Sequence, residues 1–281
     1  MEYGLSMFIT DYSISSHRLA IQAEEHDFES LWLPEHTHIP INRNTPSTNH
    51  KNLPKHYWHT LDPFIALTSA AMVTTRLKLA TGICLVIQRD PIITAKQLAS
   101  LDQISDGRAI FGVGGGWNRE EIEHHGTPFR LRWKILRERI LAMQEIWTKN
   151  EAEFHGDYVD FSPIWSWPKP KQRPYPPILM GGNGPGTFQR IIEFCDGWMP
   201  NLWGFENESV LSGRITELKK QAEAHGRDSS TIEISIVSVP PTQDVVQRLE
   251  SIGVNRVIFD LPSDTEENIL PSHIRACEHV S

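Results

Sequence analysis

Short apolar runs alternate with longer amphipathic stretches from one end of the chain to the other, and this rhythm limits the possible folds more than any single motif. The apolar runs are strand-length. The amphipathic stretch with the clearest period, Leu131–Trp147, repeats Ile135, Ile140, Leu141, Met143 and Ile146 on a helical spacing. The pattern predicts strands at Tyr3–Ile9, Ser30–Pro34, Leu77–Leu85, Ala109–Val113, Ile178–Met180, Gly197–Asn201, Ile232–Val239 and Arg256–Leu261. Between and after them it predicts helices at Ser15–His26, Leu61–Thr74, Pro91–Ile104, Leu131–Trp147, Thr187–Cys195, Asn207–His225, Thr242–Ile252 and Glu266–Glu278. A helix after every strand is the signature of β-α units in a parallel sheet. Eightfold alternation favours a closed α/β (β/α)8 TIM barrel over an open doubly wound sheet. The 281 residues fit one such domain, 1–281.

Two stretches break the rhythm. Glu35–Thr60, rich in His, Asn and Pro, is a long loop after the second strand. Thr148–Pro177 is an insertion between the fourth and fifth strands. Within it, Phe154, Tyr158, Val159 and Phe161 around His155-Gly156-Asp157 outline a hairpin, and PIWSWPKPKQRPYPP an extended, surface-hugging connection. Asn118 with Glu121 three residues on reads as an N-cap and capping box for a short helix.

Composition narrows the function. A net charge of -8 with no Lys/Arg cluster argues against nucleic acid as a partner. Apolar runs stay well short of the roughly 20 residues that span a bilayer, and the start, MEYGLSMFIT, lacks the features of a signal peptide, so a cytoplasmic protein away from membranes is expected. Cys84, Cys195 and Cys277 are too scattered for a disulfide framework or zinc knot and read as inert buried thiols.

A barrel turns every strand C-terminus toward one end, where barrel active sites lie. The unusual residues sort there: Glu35 and His36, Gly82 to Cys84, Gly114 to Trp117, Gly181 to Gly184, and Asn201 to Trp203. Glycine N–H groups can line an anion, although a glycine turn taken alone is equally a loop that must bend. Trp58, Trp165, Trp167 and Trp203 lie in loops that either overhang this pocket and stack on a flat substrate or pack beneath their own loops.

WLPEH after the second strand, LATGI on the third, LDQISDGRAIFGVGGGW around the fourth, PKQRPYPPILMGG into the fifth and CDGWMP into the sixth together resemble the luciferase-like monooxygenase superfamily. Within it the chain is most similar to the branch dependent on coenzyme F420, a 5-deazaflavin. The resemblance spans nearly the whole chain, but its motifs separate deazaflavin from FMN poorly. It implies an oxidoreductase moving hydride between F420 and a small organic substrate, with an FMN/FMNH2-dependent monooxygenase as the alternative, and a homodimer. It places the ring in the barrel mouth against a third-strand bulge whose non-prolyl cis peptide falls at Gly82-Ile83. The cofactor phosphate falls to Gly114, Gly115, Gly116, Gly181 and Gly182, with Asn183 and Arg132 as side-chain partners; Arg132 is equally readable as a solvated residue. His36 matches a histidine beside the reactive ring carbon, suited to hydrogen-bonding the ring or moving a proton. Glu35 matches an acidic position that contacts the ring by backbone or carboxylate, or merely receives a loop N–H. Trp117 stands where sugar-phosphate dehydrogenases of the superfamily carry a catalytic glutamate, a departure that puts their acid-base scheme and substrate in doubt.

Two other classes compete. His36, His38 and Asp260 prompt a metal-dependent barrel hydrolase, though the pair lies on the wrong strand and no ligands end the fourth to sixth strands. A cofactor-binding barrel without turnover is the other, since a pocket can outlive its chemistry.

Overall fold

The computed structural model describes residues 1–46, 52–269 and 274–278. In chain order the first half comprises β1 (Glu2–Ser6), α1 (Ser16–Glu25), β2 (Ser30–Leu33), α2 (His56–His59), α3 (Pro63–Ala71), β3 (Lys78–Cys84), α4 (Pro91–Ile104), β4 (Ala109–Val113), α5 (Arg119–His124) and α6 (Arg132–Thr148). The second half comprises β5 (Ala152–His155), β6 (Asp160–Ile164), β7 (Ile178–Gly181), α7 (Thr187–Phe194), β8 (Gly197–Met199), α8 (Glu208–Ala224), β9 (Glu233–Val237), α9 (Gln243–Ser251), β10 (Arg256–Asp260), α10 (Glu266–Ile269) and α11 (Arg275–Glu278). Eight parallel strands close in the order β1-β2-β3-β4-β7-β8-β9-β10, with β10 pairing back onto β1, so the fold is the expected (β/α)8 barrel. β5 and β6 form the antiparallel hairpin of the insertion.

Alternation along the strands sorts side chains into two layers. Trp32, Ala80, Ile110, Leu179, Met199 and Ile258, one from each of six strands, fill the barrel interior. The opposite faces, such as Leu31, Leu79, Phe111, Met180, Ile236 and Phe259, pack under the helices. Asp62 and Asp90 set the starts of α3 and α4: each accepts backbone N–H bonds from the first turn, and each is followed by a proline at the first helical position.

Between Thr81 and Cys84 the β3–β4 register shifts, and the Gly82-Ile83 peptide there is cis, where the resemblance places it. The neighbouring strand must make room for this bulge. A Cβ at Gly112 would stand 2.1 Å from the Thr81 carbonyl oxygen, while the Thr81 hydroxyl donates to the Gly112 carbonyl at 2.8 Å.

At the opposite end from the mouth, polar locks join segments distant in sequence. The Arg108 guanidinium donates to the carbonyls of Ala71, Thr74 and Leu77, gathering the end of α3 and the start of β3. Buried Asp102 accepts from the backbone and side-chain N–H groups of Gln172 at 2.9 and 2.7 Å and from Ala109 N–H at 3.3 Å. Arg256, buried inside the barrel base, pairs with Glu29 at 2.8 Å and with Glu233, while Lys78 reaches Glu29 at 2.6 Å.

The expected final helix is described at α10 and α11, and residues 270–273 between them lie outside the described residues, as do 47–51 of the long loop. Two expectations change. The run from Pro163 to Pro177 is not merely surface-hugging: buried Lys169 donates to the carbonyls of Ile146 and Lys149 at the end of α6, which otherwise lack intrahelical partners. At Asn118 no side-chain cap bond forms, and Glu121 does not reach back to close a capping box, because it is bound elsewhere.

Two predictions follow from the locks. Asp102→Ala removes the acceptor of the Ala109 and Gln172 backbone N–H groups, the Gln172 side chain keeping its bond to the Ala109 carbonyl, and should lower unfolding stability by about 2 kcal/mol in a urea titration. Burial alone would raise the Glu29 pKa, but its bonds to Arg256 and Lys78 outweigh that and hold it near about 2, against an ordinary 4.5. A depressed carboxylate stabilises the fold above its ordinary value and loses that contribution as pH falls through the window from 4.5 toward about 2. Glu29→Gln should therefore remove stability at neutral pH and flatten the acid limb of a thermal-melt series.

Candidate active site

β2 delivers Glu35 and His36 to the mouth, and their two carboxylate contacts define its near wall. His36 Nδ1 lies 2.7 Å from Glu121 Oε2, and both side chains are buried, 7% and 1% exposed. The second Glu121 oxygen accepts the Thr37 backbone N–H at 3.2 Å. An ionised carboxylate only accepts, so Nδ1 carries a proton, and in the neutral imidazole Nε2 is the nitrogen with the lone pair. Around the imidazole stand Tyr57 and Trp117, with ring centroids at 5.2 and 5.8 Å, and Phe8 at 6.4 Å. Arg43 lies over Trp117. Sequence reasoning took Glu121 for a helix cap and passed over Tyr57 and Phe8; an acid inside the loop excursion that follows GGGW was the available signal.

Glu35 is buried and its carboxylate is committed. One oxygen accepts the Leu85 N–H at 2.6 Å and the other accepts from Arg89 Nε at 2.6 Å, with Arg89 also bound to Asp62 at 2.5 Å. Of the roles considered for it, this is the receipt of a loop N–H, just beyond the bulge. The carboxylate braces the chain that leaves β3.

The glycine turns after β4 and β7 come to the same rim. Ile83 of the bulge touches both: a Cβ at Gly114 would meet its side chain at 2.4 Å, and one at Gly181 at 3.1 Å. Gly115 abuts the Trp133 ring. Trp133 in turn carries two guanidiniums, Arg132 at 5.2 Å and Arg190 at 4.0 Å from its centroid. Arg132 gives one bond to the Phe129 carbonyl, and its buried Nε has no partner. Arg190 gives one to the Pro185 carbonyl. Neither forms an ion pair among the described residues. Burial pushes the pKa of both down, and Arg132 pushes Arg190 further. Two crowded cations beside an N-terminus of α7 that lacks a side-chain cap make a setting short of negative charge. This donor set fits a phosphorylated group. Gly116 and Gly182 adopt left-handed φ of 64° and 89°, and no atom lies within 4 Å of a Cβ built on Gly182. Asn183 is instead tied to the Gly204 carbonyl at 2.8 Å. Arg190, one turn into the helix that follows GGNGPG, was missed.

Other candidates are placed away from the site. Trp165 bonds Glu151 beyond the end of α6, and Trp167 sits against Lys96 and Lys169 on the outer wall. His38 Nε2 faces His124, and Asp260 takes Ser238, so the residues that prompted a metal reading do not converge on an ion. Among the described residues no group of three or more His, Cys, Asp or Glu is arranged to hold a metal, and no helix is long and apolar enough to cross a membrane. All three cysteines are buried, and burial raises each thiol pKa.

Comparison with known proteins places this geometry in context. A model of the luciferase-like monooxygenase family matches residues 15–249. An uncharacterized protein of Mycobacterium tuberculosis is 38% identical over 272 residues, covering 95% of this chain and 94% of that one. The FMNH2-dependent dimethylsulfone monooxygenase of Pseudomonas putida is 32% identical over 142 residues, 48% of this chain and 38% of its own. The crystal structure of an F420-dependent secondary alcohol dehydrogenase superposes with a TM-score of 0.77 at 18% identity, covering 100% of this chain and 98% of that one, a likeness of fold.

The Glu121 contact is directly testable. In wild-type protein, nitrogen-detected NMR of neutral His36 should show the proton on Nδ1. Glu121→Leu should abolish that preference, leave the Thr37 N–H without its acceptor and cost about 2 kcal/mol of stability; an unchanged tautomer would contradict the assignment.

Proposed function

Because the chain belongs to the luciferase-like monooxygenase family, we propose that it is an oxidoreductase that moves hydride between coenzyme F420 and a small organic substrate. The observation that carries this is the pairing of a tautomer-fixed His36 with an uncompensated Arg132–Arg190 pair on one barrel rim. Bound there, a deazaflavin supplies a ring carbon that gives or takes hydride, whereas reduced FMN supplies electrons to dioxygen. Arg132, Arg190 and the N-terminus of α7 hold the anionic tail, and the Gly114 to Gly116 and Gly181-Gly182 turns let the backbone approach it. Ile83 and the Gly82 bulge present an apolar face to a flat ring. His36 Nε2 takes or returns the proton that accompanies the change of charge, and Glu121 keeps that atom free to do so. Tyr57, Phe8 and Trp117 screen this atom from bulk water.

The F420 reading keeps the branch to which the motifs are most similar; the likeness of fold is shared by barrels that hold F420 and by one that holds modified FMN. The second reading, an FMNH2-dependent monooxygenase, rests on the 32% identity to the dimethylsulfone monooxygenase.

Titration of the purified protein with F420 and FMN side by side, followed by fluorescence, decides between them. The expected outcome is saturable binding of F420 and weak binding of FMN; the reverse order would establish the second reading. Arg132→Gln and Arg190→Gln should each weaken cofactor binding by about tenfold or more, the worth of one charge-assisted contact. His36→Gln should leave binding intact while slowing turnover.

A further inference from the structure

The two halves of the mouth differ in chemistry. On the β3-β4-β7 side the inner positions are Gly82, Gly112, Gly114 and Gly181, a smooth apolar arc against Ile83. On the other side, β10 and β1 end in Asp260 and Ser6, and Asn201 and Ser238 lie just beyond the ends of β8 and β9. Asp260 lies two residues beyond Ile258, a member of the interior cluster, so strand alternation points it inward at the top of the barrel. It pairs in register with Ser6.

This arc is built. The Ser238 hydroxyl bonds Asp260 Oδ2 and also lies 3.0 Å from Asn201 Oδ1, so three strand ends are joined through one side chain. To do so Ser238 holds a φ of 61°, a left-handed conformation uncommon for serine. Asp260 stands exposed in the open mouth, where partial desolvation by the surrounding walls still raises its pKa, and Asp260 in turn raises that of Tyr57, after Tyr57's own burial, so its charge reaches the ring that flanks His36. No basic side chain among the described residues forms an ion pair with it. Beside Ser238 opens a groove of about 710 Å³ whose walls include Trp203, Phe205 and Val245 together with Glu206, Glu208 and Arg248, the last paired with Glu208.

Charge around the mouth is correspondingly divided. The uncompensated cations, Arg132 and Arg190, lie by the β4 and β7 turns. Glu35 and Asp62 are paired with Arg89 beside the bulge, while near His36 and Asp260 stand the carboxylates of Glu121 and Asp260, with Arg43 over Trp117. We propose that Asp260, oriented by Ser238 and Asn201, binds the protonated amine of a cationic organic substrate whose apolar body lies along Tyr57 and the groove beside Ser238. This deepens the oxidoreductase reading and rests on the mouth being its active site. Asp260 attracts an ammonium group and repels a carboxylate, while a neutral hydroxyl gains only a hydrogen bond; the neighbouring aromatic rings add to the preference for the cation.

Three probes of one shape test it: benzylamine, benzyl alcohol and benzoate, titrated at neutral pH into the full chain by calorimetry, with and without cofactor. Wild type should bind benzylammonium about tenfold more tightly than benzyl alcohol, with benzoate weakest. Asp260→Asn, which keeps shape and removes charge, should erase that preference without changing the melting temperature by more than a few degrees, and Asp260→Glu should restore part of it. Equal affinity of wild type for the three probes, or a preference that survives in Asp260→Asn, overturns the proposal. Cofactor affinity measured on the same samples separates the two readings: absent cofactor binding with an intact amine preference sinks the redox assignment and supports this one.

Discussion

Closure of the parallel ladder is the constraint on which everything else depends. Once β10 pairs with β1, from Glu2 with Arg256 to Ser6 with Asp260, eight strands must end on one rim and their interior positions must share one narrow volume. Trp32, Met199 and Ile258 fill that volume, so the barrel is a plug rather than a pore and any ligand must lie above it. The bulge at Gly82-Ile83 is where this regularity is interrupted. It lifts Ile83 out of the ladder into contact distance of the Gly114 and Gly181 turns, and Glu35 and Arg89 brace the chain just beyond it.

The two ends of the barrel divide the work. In the LDQISDGR run and in PKQR, Asp102, Arg108 and Gln172 tie the base together through buried hydrogen bonds. Their contribution is to hold strand starts in register. At the other end of the same segment the strand that Arg108 introduces runs on into Gly114, Gly115 and Gly116, on the rim proposed as the site. One contiguous motif therefore ties the base at its beginning and shapes the mouth at its end, separated by the length of β4.

Much of this was legible in order. The periodicity set strand and helix spans to within a few residues, β4 and α4 without error, because buried strands and amphipathic helices impose periods that a local window displays. The hairpin at His155-Gly156-Asp157 was equally local. Long-range partners were not. Asn118-x-x-Glu121 has the spacing of a capping box, yet Glu121 turns to His36, 85 residues away in the chain, because a buried imidazole and a loop N–H compete successfully for it. Arg190 looked like an ordinary helical arginine until the fold set it against Trp133 beside Arg132. Lys169, in a proline-rich run that reads as surface, is buried because it caps the end of α6.

By itself, then, the sequence determined the barrel, the gathering of its unusual residues at one rim, the position of the bulge and the family resemblance, since each is written in spacing or in contiguous motifs. Tertiary structure alone decided which atoms face one another there: that Glu35 braces a loop, that Glu121 fixes the proton of His36, and that Ser238 joins Asp260 to Asn201. Those are contacts between strand ends and loops tens of residues apart. Their geometry depends on barrel closure and on competition for hydrogen bonds, neither of which any local stretch of residues records.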